Sequence, residues 1–385
     1  MDNIIYLDNA ATTKPYNFDL IKNNTKKDIW MNPSSLYSED LKEVIDTSKK
    51  LFMGYFCPLE QKRLYDLIFT SGATESNNWV IHNTMLNNIG SIITPTIITS
   101  PFEHPSIINT LKYYEAKGLI HLEYLQVDDK GHVIADSLIE CLCECDNPIL
   151  VTCMWVNNEI GTIQPIKELS QICYEYAVPF HVDATQAVGK MDLFHKCDNI
   201  SSISFSGHKF HGPKNIGGLL IQKDFLKWLN PFMLGGHQQN GNRAGTENAE
   251  IIQNLAYCFS KSKDDVILIG KRSKEIHELF YSELKKYFLD SDFIINSHDI
   301  TIPIINVAFK NISGEYIAKE LIKEKFYIST GSACSTGDLA VSDTITVLNL
   351  PQEYQNGVIR ISFDSNTKNE EIILLVRKIY DIFSN

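Results

Sequence analysis

Short apolar runs alternate with amphipathic segments through the middle of the chain. The apolar runs predict strands at residues 65–70, 96–99, 149–154, 179–182, 200–205 and 216–221. Between them, apolar residues recur at helical spacing and predict helices that include residues 74–85, 105–115 and 166–176. Because this alternation is typical of βαβ units, we expect an α/β fold with a mostly parallel central sheet flanked by helices.

The pattern changes after about Asn248. A long helical stretch over residues 253–287 is followed by strands near 302–309 and 357–363 and by a final helix that runs to about Ile382. This order predicts a smaller α+β domain. The N-terminal stretch could join either part of the chain. We assign residues 14–250 to a large domain, and residues 1–13 together with 251–385 to a small domain.

Composition and charge narrow the possible functions. With 385 residues, 44% of them hydrophobic, the chain can bury a sizeable core. The formal net charge of -12 argues against direct nucleic-acid binding and against membrane-surface binding, because phosphate groups repel an acidic chain. No apolar run approaches the length that spans a bilayer, and the N-terminus does not resemble a signal peptide. We therefore expect a cytoplasmic protein.

The chain contains nine cysteines, an odd number, which favours reduced thiols over a disulfide framework. Cys141, Cys143 and Cys145 lie close together and could suggest a metal site. However, no second ligand cluster with suitable spacing follows them, and the segment has the pattern of an amphipathic helix end. We predict no metal site.

The predicted strand 65–70 is followed by a glycine and by a helix start with hydroxyl and acidic groups. Gly72 breaks the strand, and Ala73, Thr74 and Glu75 open the helix. Unpaired backbone N–H groups and the positive end of the helix dipole suit such a turn to an anion, and the Thr74 hydroxyl is a further donor. An ordinary helix N-cap explains the same residues equally well.

Two strand ends carry a carboxylate and an amine. Asp183 closes an apolar strand, and Lys209 follows the next strand in the segment Ser206-Gly207-His208-Lys209. A carboxylate there can pair with the protonated ring nitrogen of a pyridinium cofactor, although a solvent-facing turn would also explain Asp183. Lysine forms a Schiff base only as the neutral amine, which a partly desolvated, electropositive pocket favours. Together the two residues indicate pyridoxal phosphate.

His104 follows the predicted strand 96–99 and precedes Pro105. A lone histidine is more often structural, but beside the other strand-end clusters this imidazole is placed to stack on an aromatic cofactor ring. Lys214, after Gly212 and Pro213, is interpreted as a surface residue or a helper.

These residues belong to a series of short motifs that runs along nearly the whole chain. Through them the chain resembles the cysteine desulfurases of the nitrogen-fixation and iron–sulfur-cluster type, which are class V, fold-type I pyridoxal-phosphate enzymes. The motifs are residues 6–13 (YLDNAATT), 32–35 (NPSS), 71–76 (SGATES), 103–105 (EHP), 156–161 (VNNEIG), 181–186 (HVDATQ), 207–209 (GHK), 243–246 (RAGT) and 331–334 (GSAC).

The resemblance implies a role for each matching residue around the cofactor ring. It gives Lys209 the Schiff base with pyridoxal phosphate and the proton transfers at the substrate's α-carbon. It gives Asp183 the pyridine nitrogen and Gln186 the ring hydroxyl. His104 would stack on the ring and take part in catalysis.

The resemblance also implies a phosphate site and a subunit contact. The phosphate would be bound by Ala73, Thr74, Ser206 and His208. Thr246 would reach the phosphate of the neighbouring subunit, which implies a homodimer.

The remaining roles concern the substrate, L-cysteine. Asn158 and Arg360 match positions that orient it, and the Arg360 guanidinium suits its carboxylate. Cys334 matches the nucleophile and lies in a stretch of small residues, 329–338 (STGSACSTGD), that suits a mobile loop. A buried structural cysteine is the alternative for Cys334, and the polar, glycine-containing surroundings disfavour it.

The implied reaction converts L-cysteine to L-alanine and leaves a persulfide on Cys334. A sulfur-acceptor protein or small thiol must then take that sulfur. The pathway served stays open between iron–sulfur assembly, tRNA thiolation and DNA sulfur modification. The alternatives are a selenocysteine lyase, a class V aminotransferase, and a non-catalytic sulfur-pathway subunit that only binds partners.

Two features depart from the family pattern. Where relatives commonly carry Gly-Arg shortly after the carboxylate-binding arginine, this chain has Asp364-Ser365, which reverses the local charge. The sequence also ends at Asn385, directly after the last predicted helix. Iron–sulfur relatives have a C-terminal extension there that helps to dock the scaffold protein, so this feature argues against use of that scaffold, and the sulfur could equally go to tRNA thiolation, DNA sulfur modification or another pathway.

Overall fold

The structure is a computed structural model that describes residues 4–16, 31–58, 60–330 and 342–384. Within these ranges the strands form a seven-stranded sheet, a four-stranded sheet and a separate two-stranded pair. None of the helices in these ranges combines the length and the apolar character needed to cross a membrane.

The seven-stranded sheet contains all six strands predicted from the first part of the chain, together with one that the pattern did not reveal, β4. Its strands are β2 (Tyr65–Thr70), β3 (Thr96–Thr99), β4 (His121–Tyr124), β5 (Pro148–Thr152), β6 (Phe180–Asp183), β7 (Ser202–Ser206) and β8 (Gly217–Gln222). The spatial order is β2-β8-β7-β6-β5-β3-β4, and only β8 runs antiparallel to its neighbours. The predicted α/β fold with a mostly parallel sheet is confirmed.

Helices flank this sheet and continue into the second part of the chain. They are α1 (Glu39–Phe56), α2 (Ala73–Leu86), α3 (Pro105–Ala116), α4 (Ala135–Glu144), α5 (Ile166–Glu175), α6 (Lys223–Trp228), α7 (Ala249–Leu284), α8 (Gly314–Lys323), α9 (Asp343–Val347), α10 (Gln352–Gln355) and α11 (Asn369–Ser384). Because helices cover both sheet faces, β6 and β7 are buried throughout, including their serine and histidine side chains. The predicted helix end at Cys141–Cys145 corresponds to the end of α4.

The four-stranded sheet is antiparallel. Its strands are β9 (Phe293–Ile295), β10 (Ile304–Phe309), β12 (Ser329–Thr330) and β13 (Val358–Ser362), in the order β12-β13-β10-β9. The N-terminal strand β1 (Ile5–Tyr6) pairs in parallel with β11 (Phe326–Tyr327), and Asp8 forms a bridge with Ser362. The chain's first residues therefore lie beside its last strands.

Separate hydrophobic cores support the two sheets. Helix α7 spans them: Leu255 and Phe259 in its first half pack with the core of the large sheet, and Ile276 and Phe280 in its second half pack with that of the small sheet. The Asn248 side chain caps the start of this helix by accepting a 3.0 Å hydrogen bond from the Ile251 N–H. The proposed boundary at residue 250 falls at this shared helix, and the domain bounds stay a prediction.

Candidate active site

The C-terminal ends of β2, β3, β5, β6 and β7 lie at one edge of the large sheet, because these strands run in the same direction. Ligands of open α/β sheets bind at this edge. The turns that follow these five strands carry the sequence-predicted polar clusters, so the fold brings the clusters together.

Asp183 ends β6 and is only 5% exposed. One carboxylate oxygen accepts a 2.9 Å hydrogen bond from the Asn77 amide, and the other accepts one of 2.9 Å from the Thr185 N–H. In the part of the chain that the structure describes, no lysine or arginine forms an ion pair with Asp183. A buried carboxylate held only by neutral donors is well suited to a cationic N–H from a ligand.

Asn77 lies on α2 and links Asp183 to the neighbouring strands. Its amide nitrogen also donates to Ser106 Oγ at 2.9 Å, while its Oδ1 lies 3.0 Å from His181 Nε2. Because an amide oxygen only accepts, His181 must carry its proton on Nε2. Burial lowers the pKa of His181 to about 4, so this imidazole is neutral. Asp183 is therefore supported by a fixed, uncharged network.

Lys209 lies in the short turn Gly207–Lys209 after β7. Its Nζ donates a 2.8 Å hydrogen bond to the Ala10 carbonyl, and Gln186 Nε2 donates to the same carbonyl at 2.8 Å. Gln186 Oε1 in turn accepts a hydrogen bond from the buried Lys190 amine. Thus the predicted cofactor lysine and the predicted cofactor amide share one backbone acceptor from the N-terminal segment.

The turn between β2 and α2 has the geometry of an anion site. Gly72 has φ +151°, and a Cβ at this position would lie 3.2 Å from Ser206 Oγ, so glycine suits both the backbone angle and the close approach. The Ala73 N–H at the start of α2 donates to Ser206 Oγ at 2.8 Å. Gly72 provides no side-chain cap, which leaves first-turn N–H groups for a ligand. The Thr74 side chain is exposed at this turn.

Both candidate site histidines are neutral. Burial lowers the pKa of His104, with a smaller contribution from Lys209 and against the opposing charge of Asp183. His104 Nδ1 accepts a 3.1 Å hydrogen bond from the Ser106 N–H, which places the imidazole proton on Nε2. Burial and Lys209 lower the pKa of His208 to about 4. An aromatic ring can therefore approach His104 without meeting a charge.

Arg360 lies on β13 and reaches the same pocket from the small sheet. Its Nη2 pairs with Asp8 at 2.7 Å, and its Nη1 donates to the backbone oxygen of Asn158 at 2.9 Å. The Nε–H is buried and has no hydrogen-bond partner among the residues that the structure describes. A buried guanidinium with an open donor is placed to bind a carboxylate.

Two predicted site residues are not joined to the others by described contacts. Thr246 is exposed, and its loop is attached to the anion turn through Arg243, whose guanidinium donates to both carboxylate oxygens of Glu75 at 2.9 and 3.1 Å. Cys334 lies outside the described residues.

The structure also reveals site residues that the sequence reasoning missed. Asn77, Lys190 and the Ala10 carbonyl each contact a predicted residue, namely Asp183, Gln186 and Lys209 respectively. Lys190 could have been noticed as a single cation within the small apolar stretch 187–191 (AVGKM), but the sequence does not indicate which acceptor it meets.

The donor set fits pyridoxal phosphate. Asp183 suits a pyridinium N–H, the Gly72–Ala73 turn suits a phosphate, and Lys209 supplies a primary amine between them. A carboxylate, an anion site and an amine on neighbouring strand ends match the three functional parts of this cofactor.

Comparisons with known proteins agree with this arrangement. The family model for class-V aminotransferases matches residues 5–375. The chain is 33% identical over 384 residues to the cysteine desulfurase IscS of Methanosarcina thermophila, an alignment that covers 98% of this chain and 91% of that protein.

Solved structures extend the similarity. A NifS-like protein superposes with a TM-score of 0.86 at 27% identity, covering 99% of this chain and all of the other. A structure described as SspA in complex with cysteine superposes with a TM-score of 0.77 at 26% identity, covering 94% of this chain and all of that one.

Proposed function

The chain belongs to the class-V aminotransferase family, and from that premise we propose that it is a pyridoxal-phosphate-dependent cysteine desulfurase. The observation that carries the proposal is the placement of Asp183 and Lys209. Asp183 is the last residue of β6, and Lys209 lies in the turn after the neighbouring parallel strand β7, with the anion turn beside them. The cysteine desulfurases to which the chain is similar, and the cysteine-bound structural neighbour, identify L-cysteine as the substrate.

The proposed binding of the cofactor assigns one group to each part of it. Asp183 would hold the ring nitrogen, Gln186 the ring hydroxyl, and His104 would stack on the ring. Ala73, Thr74, Ser206 and His208 would bind the phosphate. Lys209 would provide the attachment point. These assignments rest on the hydrogen bonds and burial given above and on the family resemblance.

When bound, pyridoxal phosphate supplies an aldehyde for the substrate's amino group and a ring that accepts electrons from its α-carbon. Arg360 binds the substrate carboxylate, and Asn158 orients the substrate beside it. Lys209 would move the proton at the substrate's α-carbon. Because Asp183 is buried and His104 is partly buried, water is limited on the side of the pocket where these groups act.

The sulfur step is assigned to Cys334. Its thiolate attacks the substrate sulfur, the carbon–sulfur bond breaks, and the carbon is protonated, so the products are L-alanine and a Cys334 persulfide. No external oxidant is required, since the sulfur is oxidised as the carbon is reduced. A sulfur-acceptor protein then takes the terminal sulfur. We also propose that the protein acts in the cytoplasm.

The proposed assembly is a homodimer in which Thr246 binds the partner's phosphate. This assignment is supported by the exposure of Thr246 in the single chain and by the Arg243–Glu75 ion pair, which attaches its loop to the anion turn. The large and small domains, 14–250 and 1–13 with 251–385, would then meet at the pocket.

The test is incubation of the cofactor-loaded protein with L-cysteine and a reductant. We expect equal amounts of sulfide and alanine from the wild type. Cys334→Ala should remain yellow but release no sulfide, and Lys209→Ala should lack turnover. Cys143→Ala, which removes an exposed cysteine of the described chain, serves as the matched control and should retain full activity. Sulfide release by Cys334→Ala at the wild-type rate would contradict the proposed role of that residue.

A further inference from the structure

Lys190 is an unusual buried residue of the pocket. It lies in the turn after β6 and is only 6% exposed. Among the residues that the structure describes, no carboxylate pairs with it, and its Nζ donates a hydrogen bond to Gln186 Oε1. Burial lowers the pKa of Lys190 well below its usual value, and the nearby cations Lys209 and Arg360 lower it further. An apolar side chain would fill this space at much lower cost.

The hydrogen bonds around Gln186 determine which way its amide points. The Ala10 carbonyl can only accept, so the Gln186 atom 2.8 Å from it must be the nitrogen, Nε2. The Gln186 oxygen therefore faces Lys190, whose amine donates to it. This orientation follows from donor and acceptor chemistry and does not depend on how the amide atoms are assigned.

The orientation has a consequence for the cofactor. Gln186 Nε2 and Lys209 Nζ both donate to the Ala10 carbonyl, so the Gln186 N–H groups lie on the same side of the pocket as the cofactor lysine. The ring hydroxyl oxygen of the cofactor, which Gln186 is proposed to bind, would accept a hydrogen bond and so would need a donor on this side. If the amide rotated by 180°, its oxygen would face that ring oxygen and repel it.

We propose that Lys190 is a positioning residue for the cofactor: by donating to Gln186 Oε1, it keeps the Gln186 N–H groups directed towards the ring oxygen. This inference rests on the proposed function. Lys190 acts through Gln186 and does not contact the cofactor itself.

The test measures the affinity of the apoprotein for pyridoxal phosphate and the visible spectrum of the bound form. Lys190→Met keeps the length of the side chain but removes the donor. We expect it to weaken cofactor binding by about tenfold, as for loss of a hydrogen bond that leaves a buried partner unsatisfied, and to shift the pH midpoint of the visible absorption. Lys190→Arg keeps a donor and should bind within threefold of wild type. Lys196→Met, an exposed lysine in the same segment, should bind like wild type.

A double-variant comparison separates positioning from a structural role. In a Gln186→Leu background, Lys190→Met should cause no further loss of cofactor affinity, because no amide remains to be oriented. Additive losses, or unchanged affinity in Lys190→Met alone, would overturn the inference. If Lys190→Met does not fold, Lys190→Leu provides a second donor-free variant for the same comparison. Wild type that fails to bind pyridoxal phosphate would instead overturn the proposed function.

Discussion

The Asn77 amide donates a 2.9 Å hydrogen bond to the Asp183 carboxylate and thereby connects helix α2 to the end of β6. Ala73, which opens the same helix at the anion turn, lies one helical turn before Asn77. One rigid helix therefore sets the spacing between the group proposed to hold the ring nitrogen and the turn proposed to hold the phosphate. A cofactor must therefore have a ring nitrogen and a phosphate separated by the distance between Asp183 and this turn in order to bind both.

Replacing Asn77 should impair both stability and cofactor binding. In Asn77→Leu, the Asp183 carboxylate loses a donor, and His181 Nε2–H and Ser204 Oγ–H lose their shared acceptor while remaining buried. Each buried group left unsatisfied costs about 1–3 kcal/mol. We expect a clear decrease in the free energy of unfolding, measured by urea titration, and at least tenfold weaker pyridoxal-phosphate binding.

Asn83→Leu is the matched control for this variant. Asn83 is also buried on α2, but its amide donates to the Trp79 backbone oxygen of the same helix, away from the pocket. The control should lose stability without losing cofactor affinity. Equal loss of affinity in both variants would show that Asn77 acts only through the stability of the helix.

The sequence was sufficient to predict the sheet that carries the site. The segments that form β5 and β8 are buried over most of their length and contain continuous apolar runs that can be recognised in the sequence. β4 was missed because three of its four residues are exposed, so it has no continuous apolar run. The predictable elements are those whose burial leaves a pattern in the sequence.

The supporting contacts of the site could not be predicted in the same way. The Ala10 carbonyl, which accepts from Lys209 and Gln186, is a backbone atom and leaves no mark in residue type. Asp8 meets Arg360 across 352 positions of the chain, and such a pairing depends on how the two sheets are placed. Side-chain identity indicated which groups react, whereas tertiary contacts decide what orients them.

Glu103 should make stability depend on pH. It is 6% exposed, and burial raises the pKa of its carboxyl to about 8. Its Oε1 accepts from Ser100 Oγ and from the Met154 N–H, both at 2.6 Å. Between pH 4.5 and 8 the unfolded chain releases this proton while the folded chain keeps it. Rising pH therefore favours unfolding across that window.

The measurement is the free energy of unfolding of wild type and Glu103→Gln at several pH values from 5 to 8. Glutamine keeps the acceptor for Ser100 and Met154 but has no proton to lose. Relative to this variant, the wild type should lose roughly 1.4 kcal/mol for each pH unit in the window. A constant difference between the two proteins would show that Glu103 ionises normally in the folded state.

Arg360→Lys should raise the KM for L-cysteine by about 10- to 100-fold, because an ammonium cannot replace the planar guanidinium donors at a carboxylate. Binding of cysteamine, which has no carboxylate, should be nearly unchanged. Inhibition constants for cysteamine and KM values for cysteine provide the comparison. Arg377→Lys, on the exposed face of α11, is the control. A similar loss with both ligands would remove Arg360 from carboxylate recognition.

The Glu75–Arg243 ion pair should contribute to stability above the acid range. Burial opposes ionisation of Glu75, but hydrogen bonds from Arg243 and from the Ser71 N–H outweigh it and lower the pKa of this carboxyl. The ion pair therefore contributes to the free energy of unfolding above pH 4.5, and this contribution is lost as the pH falls through the lowered pKa of Glu75. A double-mutant cycle with Glu75→Gln and Arg243→Met should give about 1–3 kcal/mol of coupling at pH 7, and much less in acid. Coupling that does not change with pH would exclude an ionic origin.

The pKa and exposure of the described cysteines predict which of their thiols react with an alkylating reagent. Burial raises the pKa of Cys173 and of Cys258 to about 12 and that of Cys141 to about 11, so these thiols stay protonated at neutral pH. Only thiolates react quickly, and Cys143 is the exposed cysteine of the described chain. Brief treatment with iodoacetamide at pH 7 should therefore modify Cys143 and, if it is the nucleophile, Cys334. Peptide mass analysis identifies the sites. Loss of activity should follow Cys334 modification and proceed at the same rate in Cys143→Ser. Slower inactivation of Cys143→Ser would instead show that modification of Cys143 causes the loss of activity.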